Sequence, residues 1–414
     1  MKKYRGTMIG LAAMLICTVL LIVVVVLNKK NKEANDSGVS SGMVSSDEKS
    51  YTAYDFAMGT SLSVTVYGDM SGSKSKEAEE EGRMIFDSIK ELDEEIISWR
   101  SSSSVLSKLN REGKLVITEE SSAKEKLLFT ILMLSKSICK SSDGALDITI
   151  RPLADAWGIE SFEGKPEEFI VPNESILKEA KEKTGYEKLI TSMKSASSGI
   201  ADEADMIKLE GVVVDLGAVG KGYALDYIYD CIVAGKTSVD GIGDDRASVK
   251  GTAGEGYDKS IVLSVGGSIL VYGNGEKEKS FKIGVRDPEG DMNDMIGVIT
   301  LPSDCGKVCI STSGSYEKYI DKDCIRYHHI IDPKTMYPAE SGLVSVTVVC
   351  DKDTIIPEYS GLISDALSTA CFILGKEESM KLLEQYKAEA VFIDTDGNIT
   401  TTEGLSDIFT ENNE

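Results

Sequence analysis

Histidine is nearly absent from this 414-residue chain, which has only His328 and His329, side by side. In a strand adjacent residues face opposite sides, so at most one of them enters a shared site as the proton acceptor near neutral pH. Positive charge is also short: 45 Lys and Arg stand against 68 Asp and Glu, a formal net charge of −23. That balance excludes nucleic acid as a leading partner, because such binding rests on cations neutralising phosphates. It also means that an anionic ligand must be met by local cations or a metal. None of the eight cysteines forms a Cys-x-x-Cys pair, and Cys305 and Cys309 lack a second pair at zinc spacing. Ile310-Ser-Thr-Ser-Gly314 is not a Gly-x-Ser-x-Gly elbow, which argues against a serine hydrolase. No fixed-period repeat is present.

What is there reads as a folded protein behind an anchor, with 42% hydrophobic and 27% charged residues. Met8–Leu27 carries no charge, is flanked by lysines on both sides, and is long enough to cross a bilayer as a helix. It ends in four valines and a leucine without a small-residue cleavage site, so an uncleaved anchor over residues 1–30 is expected. Basic residues balance on its two sides, so orientation rests on the short tail before it, which would put the remainder on the extracytoplasmic face, against later cysteines that show no pairing framework. Residues 31–50 read as a flexible tether, and 51–410 as the folded part.

Leu62, Val64 and Val66 alternate with polar residues as in a half-buried strand, while Ile85, Ile89, Leu92 and Ile96 recur at helical spacing. Leu127–Ile138 predicts a buried helix. Strands are expected at Val212–Val214, Ile261–Leu263, Val344–Cys350 and Ala390–Ile393. Helices are expected at Lys221–Val233, Glu358–Leu374 and Glu377–Tyr386, with an inserted loop at Lys236–Lys259. This mixture without a regular βαβ rhythm predicts an α+β fold.

Three stretches carry chemistry. In Asp215-Leu-Gly-Ala-Val-Gly-Lys221-Gly-Tyr, a Gly-rich turn runs into a helix with a lysine in its first turn, so backbone N–H groups and a cation face an anion. It is not a Walker loop, which needs Gly where Asp215 stands and Ser or Thr where Gly222 stands. The same residues also suit a plain helix cap with a solvated lysine. In Asp365-Ala-Leu-Ser-Thr369, a carboxylate and a hydroxyl four residues apart share one helix face with Ser368 beside them, hard oxygen donors that suit Mg²⁺. An ordinary polar helix edge has the same spacing. The third is Tyr327-His328-His329-Ile-Ile-Asp332-Pro333.

Taken in order, these and smaller stretches resemble the FAD:protein FMN transferases, the ApbE-like flavin transferase family. The matching string comprises Met58–Thr60, Ser98–Asn110, Gly144–Thr149, Arg151–Gly158, Val214–Asp226, Ser264–Leu270, Ile310–Tyr319, His329–Thr335 and Ser364–Ala370. The resemblance implies a two-lobed, T-fold-related α+β domain that uses Mg²⁺ and takes FAD as substrate. It implies transfer of FMN to a Thr or Ser hydroxyl of an acceptor flavoprotein subunit in an electron-transfer system, with release of AMP. Carried over, FAD contacts fall on Met58, Trp99, Ala145, Leu146, Asp147, Asp215, Lys221 and Ile331. The metal falls to the Ala218 carbonyl with Asp365, Ser368 and Thr369, and His329 is the base for the acceptor hydroxyl. Ser268 and Ser315 replace acidic residues common in the family, and Met336 stands where Gly is usual. The same site would also serve an FAD pyrophosphatase or an FAD-binding surface protein without turnover.

Overall fold

A computed structural model describes residues 42–45, 49–193, 205–235, 257–275, 280–291 and 294–412. Alternating apolar and polar residues build one long sheet from β1 (Gly42–Ser45), β2 (Ser50–Ala57), β3 (Thr60–Tyr67), β4 (Ser260–Val265), β5 (Ser268–Gly273), β6 (Gly306–Gly314), β7 (Leu343–Cys350), β8 (Glu389–Asp394) and β9 (Ile399–Thr401). Neighbours in space are neighbours in this order, and every pairing from β2 to β9 is antiparallel. The sheet is therefore a meander whose connections carry insertions. The links from β2 to β3 and from β4 to β5 are equally short, and in the first Met58 and Gly59 both have positive φ (53° and 71°), the turn whose twist suits a hairpin.

Between β3 and β4 come α1 (Lys74–Leu92), α2 (Val105–Glu112), α3 (Ala123–Ser141), α4 (Arg151–Trp157), α5 (Glu174–Glu182) and α6 (Gly220–Ile228). Between β7 and β8 come α7 (Ser360–Leu374) and α8 (Lys376–Tyr386). Ile85, Ile89 and Leu92 of α1, Leu128 and Ile131 of α3, and Leu367 and Phe372 of α7 are buried in one core against the sheet. The opposite face is covered by a three-stranded sheet of Phe281–Arg286, Met295–Leu301 and Phe409–Glu411, which packs Phe281, Ile299 and Leu301 onto Val271, Ile310 and Val349. A third, smaller core joins Leu153 and Trp157 of α4 and Leu177 of α5 to Ile320 and Ile331.

The expected α+β class is observed. Val212–Val214, expected as a strand, joins no ladder. Its backbone is held instead by one side chain: Val214 N–H donates to Asn110 Oδ1 at 2.8 Å, and Asn110 Nδ2 donates to the Val214 carbonyl at 2.9 Å. Gly42–Ser45 lies within the stretch expected as a tether and is a strand. Among the described residues no helix is long and apolar enough to cross a membrane. The anchor expected at Met8–Leu27 and residues 236–256 of the expected loop lie outside the described residues.

Candidate active site

Helices α6 and α7 cross so closely that both need glycine at the contact. A side chain on Gly222 would meet the Gly361 carbonyl oxygen at 2.1 Å, and one on Gly361 would meet the Gly222 oxygen at 2.2 Å. Hydrogen bonds cross in both directions. Gly222 N–H donates to Asp365 Oδ2 at 2.9 Å. The N–H groups of Gly361 and Leu362 donate to the two Asp226 oxygens at 2.8 and 2.7 Å. Because α7 has no side-chain cap of its own, Asp226 from α6 satisfies its first amides. Burial raises the Asp226 carboxyl pKa, against the opposing pull of Lys307, whose Nζ lies 2.7 Å away.

Asp365 is 3% exposed. Its second oxygen, Oδ1, receives only long contacts, from Ser268 Oγ at 3.3 Å and Lys221 Nζ at 3.5 Å. Ser268 thus offers a donor where the usual acidic residue would add a second negative charge. Further along α7, Ser368 Oγ and Thr369 Oγ1 both lie in reach of Ser313 Oγ, at 2.8 and 3.2 Å. Asp365 and Thr369 stand one turn apart on the same helix, and a strand hydroxyl meets Ser368 and Thr369. Among the described residues no three His, Cys, Asp or Glu side chains gather to hold a metal. The donor set fits Mg²⁺ nonetheless, since that ion takes one or two carboxylates and fills its shell with water and phosphate oxygens.

The Gly-rich turn lies across from Asp365. Asp215 Oδ1 accepts the Gly217 N–H at 2.8 Å, so Asp215 does cap the turn, and its Oδ2 lies 3.4 Å from Arg151. Burial raises its carboxyl pKa, with the Gly217 amide and Arg151 opposing. Lys221 Nζ donates to the Gly217 carbonyl at 3.2 Å. Half-buried Ala218 stands inside the turn, and the Met58 methyl lies 3.6 Å from the place a Gly220 side chain would take.

From Asp215 the contacts continue toward the histidine. The Arg151 guanidinium lies over the Trp99 ring at 3.6 Å and that of Arg100 at 4.3 Å. Glu160 meets Arg151 at 3.9 Å, Arg100 at 3.6 Å and Lys318 at 3.4 Å. Burial works to raise the Glu160 carboxyl, but Lys318, His329 and Arg100 outweigh it and hold the pKa below the usual value. His329 N–H donates to the Lys318 carbonyl at 3.0 Å. Burial pushes the His329 imidazole down to about 4, against the pull of Glu160, so the ring is neutral at pH 7. His328 faces the other way, onto Phe372 at 5.5 Å between rings, with Nε2 on the Ala339 carbonyl at 3.0 Å. The two histidines therefore have different surroundings, as expected from the alternation.

Other expected contacts are placed differently. Asp147 accepts from Thr149 N–H and Oγ1 at 2.8 and 2.7 Å and from Tyr186 N–H at 3.1 Å, so its carboxylate is engaged in holding its own turn. Ala145, Leu146 and Ile331 are buried. Met336 has φ +70°, the conformation expected of the usual glycine, and its carbonyl accepts from Trp157 Nε1 at 2.8 Å. Sequence reasoning missed Asp226, Lys307, Ser313 and Glu160. Asp226 and Ser313 lie within the matching stretches Val214–Asp226 and Ile310–Tyr319 without having been singled out, and Asp226 is also a lone acid in the apolar run Tyr223–Ile228. A surface cleft of about 350 Å³ lined by Lys108, Leu115 and Glu125 shares no residue with this network.

Comparison with known proteins finds relatives by sequence and by fold. The FAD:protein FMN transferase of Treponema pallidum is 27% identical over 369 residues, 87% of this chain and 88% of its own. That of Escherichia coli K12 is 27% identical over 74% of this chain and 75% of its own. The crystal structure of the ApbE protein of Thermotoga maritima superposes with a TM-score of 0.64 at 26% identity, covering 87% of this chain and 99% of that one. The flavin transferase ApbE of Vibrio cholerae, at 22% identity and a TM-score of 0.60, shares the fold. The profile of the ApbE family matches residues 58–392, which span the Met58 turn, the α6–α7 crossing and the histidine stretch alike, and the chain belongs to that family.

Proposed function

We propose that this protein transfers the FMN part of FAD to a Ser or Thr hydroxyl of an acceptor protein and releases AMP. The observation that carries the reading is the convergence of Lys221 and Asp365 at the start of α6, 3.5 Å apart, in a chain that aligns along most of its length with transferases of that name. Lys221 and the turn amides would receive the diphosphate, an arrangement required in a protein of net charge −23. Asp365, Ser368, Thr369 and the Ala218 carbonyl would hold Mg²⁺. When bound, the ion neutralises charge on the phosphate oxygens and on the departing AMP.

The remaining work falls to protein side chains. Neutral His329 takes the proton of the acceptor hydroxyl. The hydroxyl oxygen bonds to the phosphorus of the FMN half, and the bond from that phosphorus to the bridging oxygen breaks, so AMP leaves carrying that oxygen. The acceptor is expected to be a subunit of an electron-transfer system outside the membrane, consistent with an anchor at Met8–Leu27. The test is to incubate the full-length protein with FAD, Mg²⁺ and a candidate acceptor, then examine the denatured acceptor by flavin fluorescence and intact mass. A gain of one FMN with AMP release that requires metal is expected. Free FMN and AMP without an adduct would replace transfer by hydrolysis.

A further inference from the structure

We infer that Asp226 and Lys307 are positioning residues, a buried pair that fixes where α7 begins and thereby holds Asp365 at the metal end of the site. The inference rests on the reading above, in which Asp365 is a metal ligand. The two side chains are 3% and 9% exposed. A buried ion pair is costly to desolvate, and apolar residues of equal volume as a rule hold a fold as well or better. Stability alone is thus a poor reason for this one.

Its geometry supplies a better one. Asp226 accepts the amides of Gly361 and Leu362, the second and third residues of α7, at 2.8 and 2.7 Å. Lys307 reaches the carbonyls just before that helix, Glu358 at 2.8 Å and Pro357 at 3.2 Å, as well as Asp226 at 2.7 Å. One pair therefore ties both the residues that enter the helix and its free amides to β6 and α6. Asp365 lies one turn beyond Gly361, and Gly222 lies one turn before Asp226, so α6 grips α7 at two points one turn apart. The glycine contact between those points leaves no slack for α7 to slide. Loosening the first grip shifts the second, where Gly222 N–H meets Asp365.

A second buried pair provides the control. Lys259 and Glu81 lie 2.7 Å apart, 12% and 9% exposed, and touch none of the site residues named here. The experiment compares full-length wild type with Asp226→Asn, Lys307→Met, Lys307→Arg and Lys259→Met. Two quantities are read: Mn²⁺ affinity by electron paramagnetic resonance in the presence of FAD, and hydrogen exchange at the Gly222 amide. Asp226→Asn and Lys307→Met should weaken Mn²⁺ binding about tenfold and speed exchange at Gly222, as loss of a residue supporting a metal ligand does. Lys307→Arg should restore most of the affinity, and Lys259→Met should lower the melting temperature while moving neither quantity. Lys307→Met keeps Asp226 in place and carries the test if Asp226→Asn does not fold. Unchanged Mn²⁺ affinity and unchanged Gly222 exchange in the folded variants would overturn the inference. Wild type that binds no Mn²⁺ would instead overturn the metal reading, and Gly222 exchange would then decide the positioning role alone.

Discussion

Strand β6 shows two different interiors on its two faces. Toward α7 it presents Cys309, Ser311 and Ser313, which meet Ser360 at 3.4 Å, Ser364 at 2.9 Å and Ser368 at 2.8 Å. The match is geometric, since four helix residues rise about 6 Å and two strand residues about 6.6 Å. Toward the outer sheet it presents Val308 and Ile310, part of a buried apolar cluster, with Thr312 at the end of that face bonded to Thr347 at 2.9 Å. Buried hydroxyls add little to stability and demand partners, whereas buried methyl groups add much and demand only space. The dry face stabilises the sheet. The hydroxyl face lets α7 approach closely and ends at Ser313, Ser368 and Thr369, where oxygen donors are wanted.

The comparison breaks most visibly at Asp365. Asp365→Asn keeps an acceptor for the Gly222 amide and removes the charge, so transfer should fall about a thousandfold with little change in melting temperature. Asp365→Ala should lose the same activity and also destabilise the fold by about 1–3 kcal/mol, because the Gly222 amide is left buried without a partner. Equal stability of the two variants, measured by thermal unfolding, would sink the account of the crossing.

His329→Gln should lower the transfer rate by about a hundredfold or more while leaving FAD affinity within a factor of two. The pH profile sharpens the assignment. With the imidazole held down to about 4, the base stays neutral as pH falls from 7, and the rate should drop only as pH passes through about 4. An ordinary histidine would lose it near 6.5. A limb near 6.5, or one that persists in His329→Gln, would exclude this residue as the base.

On the dry face the expectation is reversed. Ile310 is 2% exposed, and Ile310→Ala should cost about 3 kcal/mol of stability by leaving a cavity. Transfer measured well below the melting temperature should be unchanged. A large loss of rate in the folded variant would show that the two faces are not independent.

How much of this was legible in the sequence follows from the range of the forces involved. Local periodicity marked β3, α3 and α7, and the four-residue spacing placed Asp365 and Thr369 on one face. Period two put His328 and His329 on opposite sides. What escaped was long-range. Val212–Val214 has the composition of a strand, but its hydrogen-bond partner is the Asn110 side chain about a hundred residues earlier. Asp226 meets its lysine across a fold that brings β6 to α6. Asp147, an FAD contact only by the resemblance, accepts from its near neighbour Thr149 and from the distant Tyr186, and of the two only the first partner is local.

The smallest expected effect tests a turn that local rules would forbid. Met336, half-buried with φ +70°, pays the left-handed penalty that glycine escapes, yet its carbonyl still accepts from Trp157 at 2.8 Å. Comparing Met336→Gly directly with wild type confounds that penalty with lost packing of the methionine. Comparing Met336→Gly with Met336→Ala does not, because both remove the side chain. At an unstrained position alanine is the more stable by about 0.5–1 kcal/mol, since glycine loses more freedom on folding. Here the order should invert, with Met336→Gly the more stable by about 1 kcal/mol, because alanine retains the cost of the left-handed backbone. Thermal unfolding of the two variants decides it. Alanine equal to or above glycine would mean that the turn after Asp332 relaxes out of the left-handed region once the methionine is gone, and that Met336 itself holds it there.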